Sequence, residues 1–374
     1  MRILFTTDQI YLHGGIEKVM AEKANYFADV FDYDVHILTT EQNGNAPCYR
    51  LSEKIKKTDI SVNYHRKKSY FHPANLLKLP QHFRQWRKAI RTIDPDVVIV
   101  CNYAFDFYWS PFFFTRISKL KEFHSSGFLE MEARKNAGFF GKIRFGLQDF
   151  IESKYDRIVV LNPSEAQFCK SKNTVVIPNP IGKTDKVAAL KNKKAIAAGR
   201  IAPVKGFTKA IDAWALAMEY QSDWELYIYG QGEPDYIQML KAKIVNQGLQ
   251  NNIFIKPATE NLDDEMAGAS MYVMSSVSEC FPMVLLEALS AGLPIASFDC
   301  PTGPGNIITD GEDGFLAEDQ NIASLAEKIV ILMTDEDLRK EMGKCGRSNA
   351  QRFSNEAVMN LWQSLFNELK NKSN

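Results

Sequence analysis

Two glutamates on either side of a proline and a short apolar run give the clearest chemical signal in this 374-residue sequence. The segment Glu279-Cys-Phe-Pro-Met-Val-Leu-Leu-Glu287 follows the apolar run 271–274. Pro282 suits the first position of a helix, whose opening N–H groups lack partners within the helix and can bind a diphosphate. Glu287 would then lie about 7.5 Å further along the axis, near a ribose diol. The alternative is that Glu279 only interacts with the helix dipole and that Glu287 is solvated.

Two cations follow another apolar run, 195–199. Arg200 and Lys205 are separated by five positions and lie on either side of Pro203. Both could neutralise the charge that grows on a departing diphosphate, a role that a divalent metal ion often has. The alternative is that both are solvated loop side chains.

A glycine pair and a histidine are further candidates in the first half of the chain. Gly14 and Gly15 stand between the first apolar run and the first helical pattern, where paired glycines let a ligand approach the backbone closely. The pair lacks the spacing of a nicotinamide site and is equally consistent with a tight turn. His124 ends the run 120–124, and all six histidines lie before residue 125. A histidine in a ligand cleft must therefore come from the first half, although a lone histidine is more often structural.

The sequence predicts no metal site. The six cysteines are scattered without C-x-x-C or zinc spacing, which is typical of reduced thiols in a reducing compartment. Asp-x-Asp triplets occur at 32–34, 94–96 and 335–337. The first two lead into strands, opposite the end where ligands bind, and the third opens a late helix.

Short apolar runs alternate with helix-length amphipathic segments along the whole chain. This alternation predicts an α/β protein with two successive doubly wound parallel sheets, because 374 residues exceed what one core usually holds. The pattern restarts after Pro178-Asn179-Pro180, which places the domain boundary at residues 180/181. The runs are 3–7, 35–39, 97–101, 120–124, 158–161 and 175–177, then 195–199, 226–229, 253–255, 271–274 and 295–298.

The net charge is zero, but it is unevenly distributed. Residues 1–180 contain 26 Lys and Arg against 19 Asp and Glu, and the remainder contains the reverse. Nucleic acid is therefore not an expected partner. The segment 50–91 has 12 basic and two acidic residues, interleaved with aromatic and apolar ones, and could lie on anionic lipid headgroups. A solvated basic face is an equally good interpretation. In the segment 103–114, which contains eight aromatics, we expect core packing.

The first residues enter a strand pattern without a signal segment, and no run of 18 apolar residues occurs. We therefore expect a cytoplasmic protein, with at most a peripheral attachment at the inner face of the cytoplasmic membrane.

Taken in order, these motifs resemble the retaining glycosyltransferases of family 4, also called glycosyl transferases group 1. The most specific part is Glu279-x7-Glu287 followed by Ala-Leu-Ser-Ala-Gly-Leu-Pro; Gly199-Arg200 with Lys205-Gly206, and Ile177-Pro-Asn179, add support. The resemblance covers nearly the whole chain. It implies the GT-B architecture, in which two Rossmann-like domains face a central cleft and a C-terminal helix crosses back to the N-terminal domain.

The resemblance also implies domain roles: residues 1–180 with helix 355–374 would bind the acceptor, and 181–354 the donor. Catalytic roles would fall to His124, Glu279, Arg200 and Lys205, with Arg200 and Lys205 on the diphosphate. The donor would further contact Gly14, Gly15, Phe281, Pro282, Met283, Val284 and, through its ribose, Glu287.

The activity implied is metal-independent transfer, with retention, of a hexose or N-acetylhexosamine from a nucleotide-diphosphate sugar. The donor would be a UDP-sugar by family habit, the acceptor a glycan or lipid-linked sugar of cell-surface polysaccharide or glycolipid assembly, and no cofactor is expected. A sugar-nucleotide epimerase or hydrolase of the same fold, or a non-catalytic nucleotide-sugar binder, are the alternatives. Cys280 stands where the family commonly has glycine, and Asn306 where it often has glutamate.

Overall fold

The computed structural model describes residues 1–373 and divides into two compact units. The first unit comprises Met1–His124, Met131–Pro180 and the final segment from Asn355, and the second comprises Ser125–Glu130 and Ile181–Ser354. Asn374, the last residue of the predicted final helix, lies outside the described residues.

The first unit contains a seven-stranded parallel sheet with the order β3-β2-β1-β4-β5-β6-β7. Successive strand residues face opposite sides, and both sides are buried: Ile3 and Phe5 pack in one core cluster, Leu4 in the other. The strands are β1 (Arg2–Thr7), β2 (Asp34–Thr39), β3 (Lys56–Asp59), β4 (Val97–Val100), β5 (Ser118–Glu122), β6 (Arg157–Val160) and β7 (Thr174–Val176).

Helices cover both faces of this sheet, as the alternating pattern predicts. They are α1 (Gly15–Asp29), α2 (Pro73–Leu76), α3 (Leu79–Ile93), α4 (Asp106–Trp109), α5 (Gly127–Lys135), α6 (Phe139–Glu152), α7 (Pro163–Ala166) and α14 (Asn355–Ser373); residues 127–130 of α5 are grouped with the second unit. Although α14 comes last in the chain, its apolar side packs into the first unit, where Trp362 and Phe366 contact Phe27 of α1.

The second unit contains a six-stranded parallel sheet with the order β10-β9-β8-β11-β12-β13. Its strands are β8 (Lys194–Ala198), β9 (Glu225–Tyr229), β10 (Ile253–Lys256), β11 (Met271–Met274), β12 (Ile295–Phe298) and β13 (Gly314–Ala317). Its helices are α8 (Phe207–Met218), α9 (Pro234–Asn246), α10 (Leu262–Ala267), α11 (Met283–Ser290), α12 (Ile322–Thr334) and α13 (Glu336–Ala350). The predicted class, two parallel α/β sheets in succession, is confirmed.

The sequence pattern missed two strands, β3 and β13, and both lie at the edge of their sheet. An edge strand is buried less than a central one, so it does not need a continuous apolar run. The sequence of β3 is Lys-Lys-Thr-Asp with three exposed residues, and β13 contains a glycine.

Candidate active site

The strand order of the second unit brings together two of the predicted segments. The order reverses between β8 and β11, and open α/β sheets bind ligands beyond the carboxyl ends of the strands at such a point. The loop after β8 carries Arg200 and Lys205, and the loop after β11 carries Glu279. Segments 79 residues apart in the chain, counted from Arg200 to Glu279, therefore emerge from adjacent strands.

These two loops are held together by two hydrogen bonds to backbone carbonyl groups. The Val277 N–H donates to the Val204 carbonyl at 2.8 Å, and the Ser275 hydroxyl donates to the Lys205 carbonyl at 3.1 Å. Gly206, which precedes α8, has a φ of 63°. A Cβ on Gly206 would lie 1.9 Å from the Ser275 carbonyl oxygen, so only glycine allows the loops to approach this closely.

Lys205 and Glu279 form an ion pair at this point. Lys205 Nζ lies 2.5 Å from Glu279 Oε1, which also accepts a hydrogen bond from the Ser276 hydroxyl at 2.7 Å. Both side chains remain partly accessible, at 23% and 12%. Arg200 is exposed, and within residues 1–373 its guanidinium has no hydrogen-bond partner. The group thus presents one tethered and one untethered cation beside a carboxylate, which is a suitable set for a diphosphate attached to a sugar.

The helix that follows starts one residue later than the sequence suggested. Pro282 has an extended conformation and caps α11, which begins at Met283. The sequence predicted that the opening N–H groups lack partners, but the N–H of Leu285 donates to the Pro282 carbonyl at 3.0 Å, so for this amide the prediction was wrong. Among the first-turn amides, those of Met283 and Val284 are the ones left to point along the helix axis. Because the Pro282 carbonyl accepts this hydrogen bond from only three residues further on, the first turn of α11 is tighter than a regular α-helical turn.

The loop before this helix is fixed by close packing and by a hydrogen bond. Phe281 is buried and lies edge-on to Phe353 at 5.6 Å, and Pro282 is buried with it. The Thr302 hydroxyl donates to the Glu279 carbonyl at 2.6 Å, and a Cβ on Gly303 would lie 2.6 Å from the Glu279 Cβ. These contacts hold the Glu279 backbone in one position, with Cys280 buried beside it.

Tyr272 ties β11 to the end of β8. Its buried hydroxyl donates to the Ala198 carbonyl and accepts from the Ala198 N–H, both at 3.0 Å, at the end of β8. Burial raises the pKa of Tyr272, and the carboxylates of Glu287 and Glu279 add to that rise. Glu287 is half-buried on α11.

In the first unit, His124 lies two residues beyond the end of β5 rather than at the strand end. Its side chain is 7% exposed, and its Nε2 lies 3.3 Å from Glu122 Oε2. Burial lowers the pKa of His124, although the Glu122 carboxylate acts in the opposite direction. This contact with Glu122 orients the imidazole ring.

Glu122 is the centre of a buried cluster that the sequence analysis missed. It forms an ion pair with Lys23 of α1 and accepts a hydrogen bond from the Cys101 thiol at 3.5 Å. Burial alone would raise the pKa of Glu122, but the Lys23 ammonium and His124 hold it well below its usual range. The charged run Lys-Leu-Lys-Glu at 119–122 was the available signal, because charges on an interior strand need buried partners.

The glycine pair lies at the start of α1. Gly14 is the N-cap in an extended conformation, and Gly15 is the first helical residue. A Cβ on Gly14 would meet the Glu17 carboxylate, which is the end of a flexible side chain, and a Cβ on Gly15 would meet no atom within 4 Å. Packing within the chain therefore does not explain glycine at position 15.

Comparison with known proteins identifies the family. The family described as glycosyl transferases group 1 matches residues 182–349, and the family described as Glycosyltransferase Family 4 matches residues 13–183. Together these matches run through both units. The chain belongs to glycosyltransferase family 4.

Individual proteins are also similar to this chain. The chain is 30% identical to an exopolysaccharide phosphotransferase of Streptomyces coelicolor, over 95% of this chain but 39% of that protein. It is 26% identical to an uncharacterized glycosyltransferase of Haemophilus influenzae, over 94% and 96% of the two chains. The solved structure of HepE from Anabaena in complex with UDP aligns with a TM-score of 0.76 at 18% identity, covering 99% of this chain and 100% of that chain. The GT-B class of fold is thereby established.

This glycosyltransferase has a second polar cluster in the first unit, where the order of the sheet reverses between β1 and β4. Asp8 forms an ion pair with Arg66 and accepts a hydrogen bond from the Asn102 amide at 2.8 Å. Arg66 lies 3.7 Å from Glu41 Oε1, which is buried without a hydrogen-bond partner in the described chain. Burial raises the pKa of Glu41 to about 7. The sequence analysis did not single out these residues, because they lie singly in loops without a motif.

The basic segment 50–91 does not form a single exposed face. Trp86 is fully buried, and Tyr70 and Phe83 are half-buried against the core, whereas Phe71, Leu76 and Leu77 are exposed. In the aromatic segment 103–114 the expected core packing holds for Phe105 and Phe107, but Phe112 and Phe113 are exposed.

Within residues 1–373, no group of three or more His, Cys, Asp or Glu side chains is arranged to hold a metal ion. Among the same residues, no helix combines the length and the apolar character needed to cross a membrane.

Proposed function

We propose that this glycosyltransferase moves a hexose or N-acetylhexosamine from a UDP-sugar, with retention, to a glycan or lipid-linked acceptor in cell-surface polysaccharide or glycolipid assembly. The observation that carries the proposal is the Lys205–Glu279 pair, 2.5 Å apart at the reversal point of the second sheet, with Arg200 exposed in the same loop. The UDP complex of the similar HepE structure supports the choice of uridine, and the name of the Streptomyces relative supports a polysaccharide acceptor.

In the proposed reaction the diphosphate binds to Arg200, Lys205 and the first amides of α11. The bond between the anomeric carbon and the diphosphate oxygen breaks, and the electron pair leaves with the diphosphate. The acceptor oxygen attacks from the same face, and its proton passes to a diphosphate oxygen. Because the charge of the leaving group grows in the transition state, the two fixed cations stabilise that state more than the ground state.

The remaining residues bind and orient the donor. Glu287 binds the ribose hydroxyls, and Glu279 and the backbone from Phe281 to Val284 hold the sugar. His124, oriented by Glu122, lies at the reacting sugar, while Gly14 and Gly15 approach the phosphates. No cofactor takes part, and the two cations act in place of a metal ion.

The proposal includes the location of the enzyme. It acts in the cytoplasm at the inner face of the membrane, and the basic segment 50–91 contributes to peripheral binding through anionic headgroups. The excess of basic residues in this segment, 12 against two acidic ones, supports this placement.

A thermal-shift screen with UDP, GDP and ADP sugars tests donor binding, since a ligand at 100 times its dissociation constant adds about 2.7 kcal/mol to stability. We expect stabilisation by a UDP-sugar and its loss in Glu287→Ala. UDP release that requires an added glycan or lipid acceptor then identifies transfer. UDP release without an acceptor would identify a hydrolase, and isomerisation of the donor sugar would identify an epimerase. Binding without turnover would identify a non-catalytic binder. Strict dependence on magnesium or manganese would contradict the metal-free mechanism.

A further inference from the structure

The helix α6 of the first unit has an apolar side that is largely exposed in the described chain. Five of its large apolar residues are exposed, from 50% for Leu147 to 85% for Phe140. Single exposed apolar residues are ordinary, but a contiguous set on one element marks an interaction surface. We call these residues the α6 stripe: Phe139, Phe140, Ile143, Leu147 and Phe150.

The stripe is a continuous band along the helix. At about 100° per residue, its five members fall within an arc of about 100°. Phe145 lies on the opposite side of the helix and is buried, and Ile151 and Glu152 are buried at the C-terminal end. The helix is thus fixed to the unit by its other side, and the stripe points away from the core.

Cations border the stripe on both sides. By the same helical geometry, Lys142 precedes the arc and Arg144 follows it. Both are exposed, and neither has an ion-pair partner within residues 1–373. Lys154 extends the basic border at the C-terminal end, where its ammonium lies 4.9 Å from the Phe150 ring.

Asp149, an acidic residue of α6, does not offset these charges. Asp149 is bound by Arg134 at 2.7 Å and by Lys170 at 2.9 Å. The surface therefore has a net positive charge.

Aromatic contacts connect the α6 stripe to the basic segment. Phe150 stacks on Phe112, with 6.2 Å between ring centroids, and the adjacent Phe113 lies edge-on to Phe83 of α3 at 4.9 Å. Helix α3 contains four basic residues (Arg84, Arg87, Lys88 and Arg91) and no acidic residue. The apolar stripe and the basic helix are therefore parts of one surface of the first unit.

We propose that α6 inserts its stripe among the lipids of an anionic bilayer, while the cations of α6 and α3 bind the headgroups. An apolar band flanked by Lys and Arg is the pattern of a helix that lies in the plane of a membrane interface. The charge complementarity selects an anionic lipid surface over an apolar protein groove. This inference depends on the proposed function only in assuming a membrane. It identifies α6, which lies outside segment 50–91, as the inserting element.

The test measures binding of the purified full-length chain to vesicles by co-sedimentation. Vesicles of phosphatidylcholine with about 30% phosphatidylglycerol are compared with phosphatidylcholine alone. We expect binding to the anionic vesicles, weakened by at least about tenfold in the double variant Phe139→Ser with Phe140→Ser, because two large rings no longer enter the lipid. The double variant Lys142→Gln with Arg144→Gln should weaken binding to anionic vesicles and leave binding to neutral ones unchanged.

Tyr220→Ser is the matched control, since Tyr220 is 71% exposed in the second unit. It should bind vesicles as the unchanged chain does, and all variants should keep the same unfolding midpoint and the same stabilisation by UDP. Equal vesicle binding by the Phe139/Phe140 variant and the unchanged chain overturns the proposal. A stripe-dependent dimer seen by light scattering, without vesicle binding, overturns it too and identifies a second copy as the occupant. Because UDP stabilisation is measured without lipid, failure here is distinguishable from failure of the donor site.

Discussion

The two units both gather charged side chains at the carboxyl ends of parallel strands, but they treat those charges differently. In the first unit, Lys23 and Glu122 are 3% and 2% exposed and bind each other. In the second, Lys205 and Glu279 are 23% and 12% exposed, and Arg200 has no hydrogen-bond partner among residues 1–373. The first cluster is closed and holds a neighbouring histidine, whereas the second is open and has hydrogen-bonding capacity left for a ligand.

This difference has an energetic reason. A buried ion pair is stable only while both partners are present, because a single charge without water or a partner is strongly unfavourable. A partly exposed pair can exchange one partner for a phosphate or for water, and this exchange costs much less free energy than breaking a buried pair. We therefore expect changes in the closed cluster to affect folding and changes in the open one to affect turnover and binding.

The largest effect is expected from Glu122→Gln in the closed cluster. The Lys23 ammonium would stay buried without its carboxylate, which destabilises a protein by about 3 to 5 kcal/mol. Urea unfolding monitored by circular dichroism measures this loss. The control is Glu368→Gln, which breaks the exposed pair with Arg157 and should change stability by about 0 to 1 kcal/mol. Equal losses in the two variants would show that the buried cluster is not special.

Lys205→Ala tests the open cluster. Removing one fixed donor to a developing negative charge typically lowers kcat by about 100-fold to 1,000-fold. The unfolding midpoint should change little, because the side chain is partly exposed. Initial rates of UDP release in the presence of acceptor measure the first effect. Lys209→Ala, on α8 with its amine bound to Gln320, is the matched control and should keep near-normal turnover.

A pH experiment distinguishes the buried carboxylates of the first unit. Burial raises the pKa of Glu41 to about 7, so the folded chain holds this proton after the unfolded chain has released it. This group therefore opposes folding increasingly as the pH rises from about 4.5 to 7. Glu41→Gln should add about 1 to 3 kcal/mol of stability at pH 8 and little at pH 4.5. The same measurement on Glu53→Gln, an exposed residue, should show no such trend.

The opposite trend is expected from Glu122, whose pKa is held low by Lys23 and His124 despite burial. Its stabilising effect is complete above the unfolded pKa and is lost as the pH falls below it. A Glu41→Gln variant whose stability gain did not change between pH 4.5 and 8 would contradict the raised pKa of Glu41.

The smallest effect on stability is expected from Arg200→Ala. Because the guanidinium has no protein partner in the described chain, unfolding should change by less than about 0.5 kcal/mol. Binding of UDP should nevertheless weaken about tenfold, which is the loss of one charge-assisted hydrogen bond. Isothermal titration at two salt concentrations measures it. A large loss of stability would mean that Arg200 belongs to the structural framework and not to the ligand site.

Several candidate site residues can be chosen from the sequence, because their types and positions suggest chemistry. Glu279 and Glu287 flank a helix start, and Arg200 and Lys205 follow a buried strand. The strand positions were also predictable where burial on both faces demands apolar runs, as in β4. The edge strands β3 and β13 were not predictable, since an edge strand does not need a continuous apolar run. The start of α11 lies at Met283 and not at Pro282, because the extended backbone of Pro282 makes it the N-cap.

Long-range partners could not be predicted in the same way. Lys23 and Glu122 are 99 positions apart, and nothing local in either segment points to the other. The same holds for Asp8 and Arg66. They meet only because the loops after β1 and β3 lie at the same edge of the sheet. His124 was chosen for its place after a strand, but its orientation depends on this distant pairing.

The sequence alone determined the class of the two units and the membership of the chain in its family, and it supplied the candidate residues for a diphosphate. All of these depend on periodicity and on motifs within about twenty residues, which are local properties of the chain. Only the tertiary structure decided which charges are closed off and which stay open, and which apolar helix side is covered. α14 and α6 are both amphipathic, yet Trp362 is buried and Phe140 is exposed. Burial is set by what packs against a face, and that is a property of the whole fold.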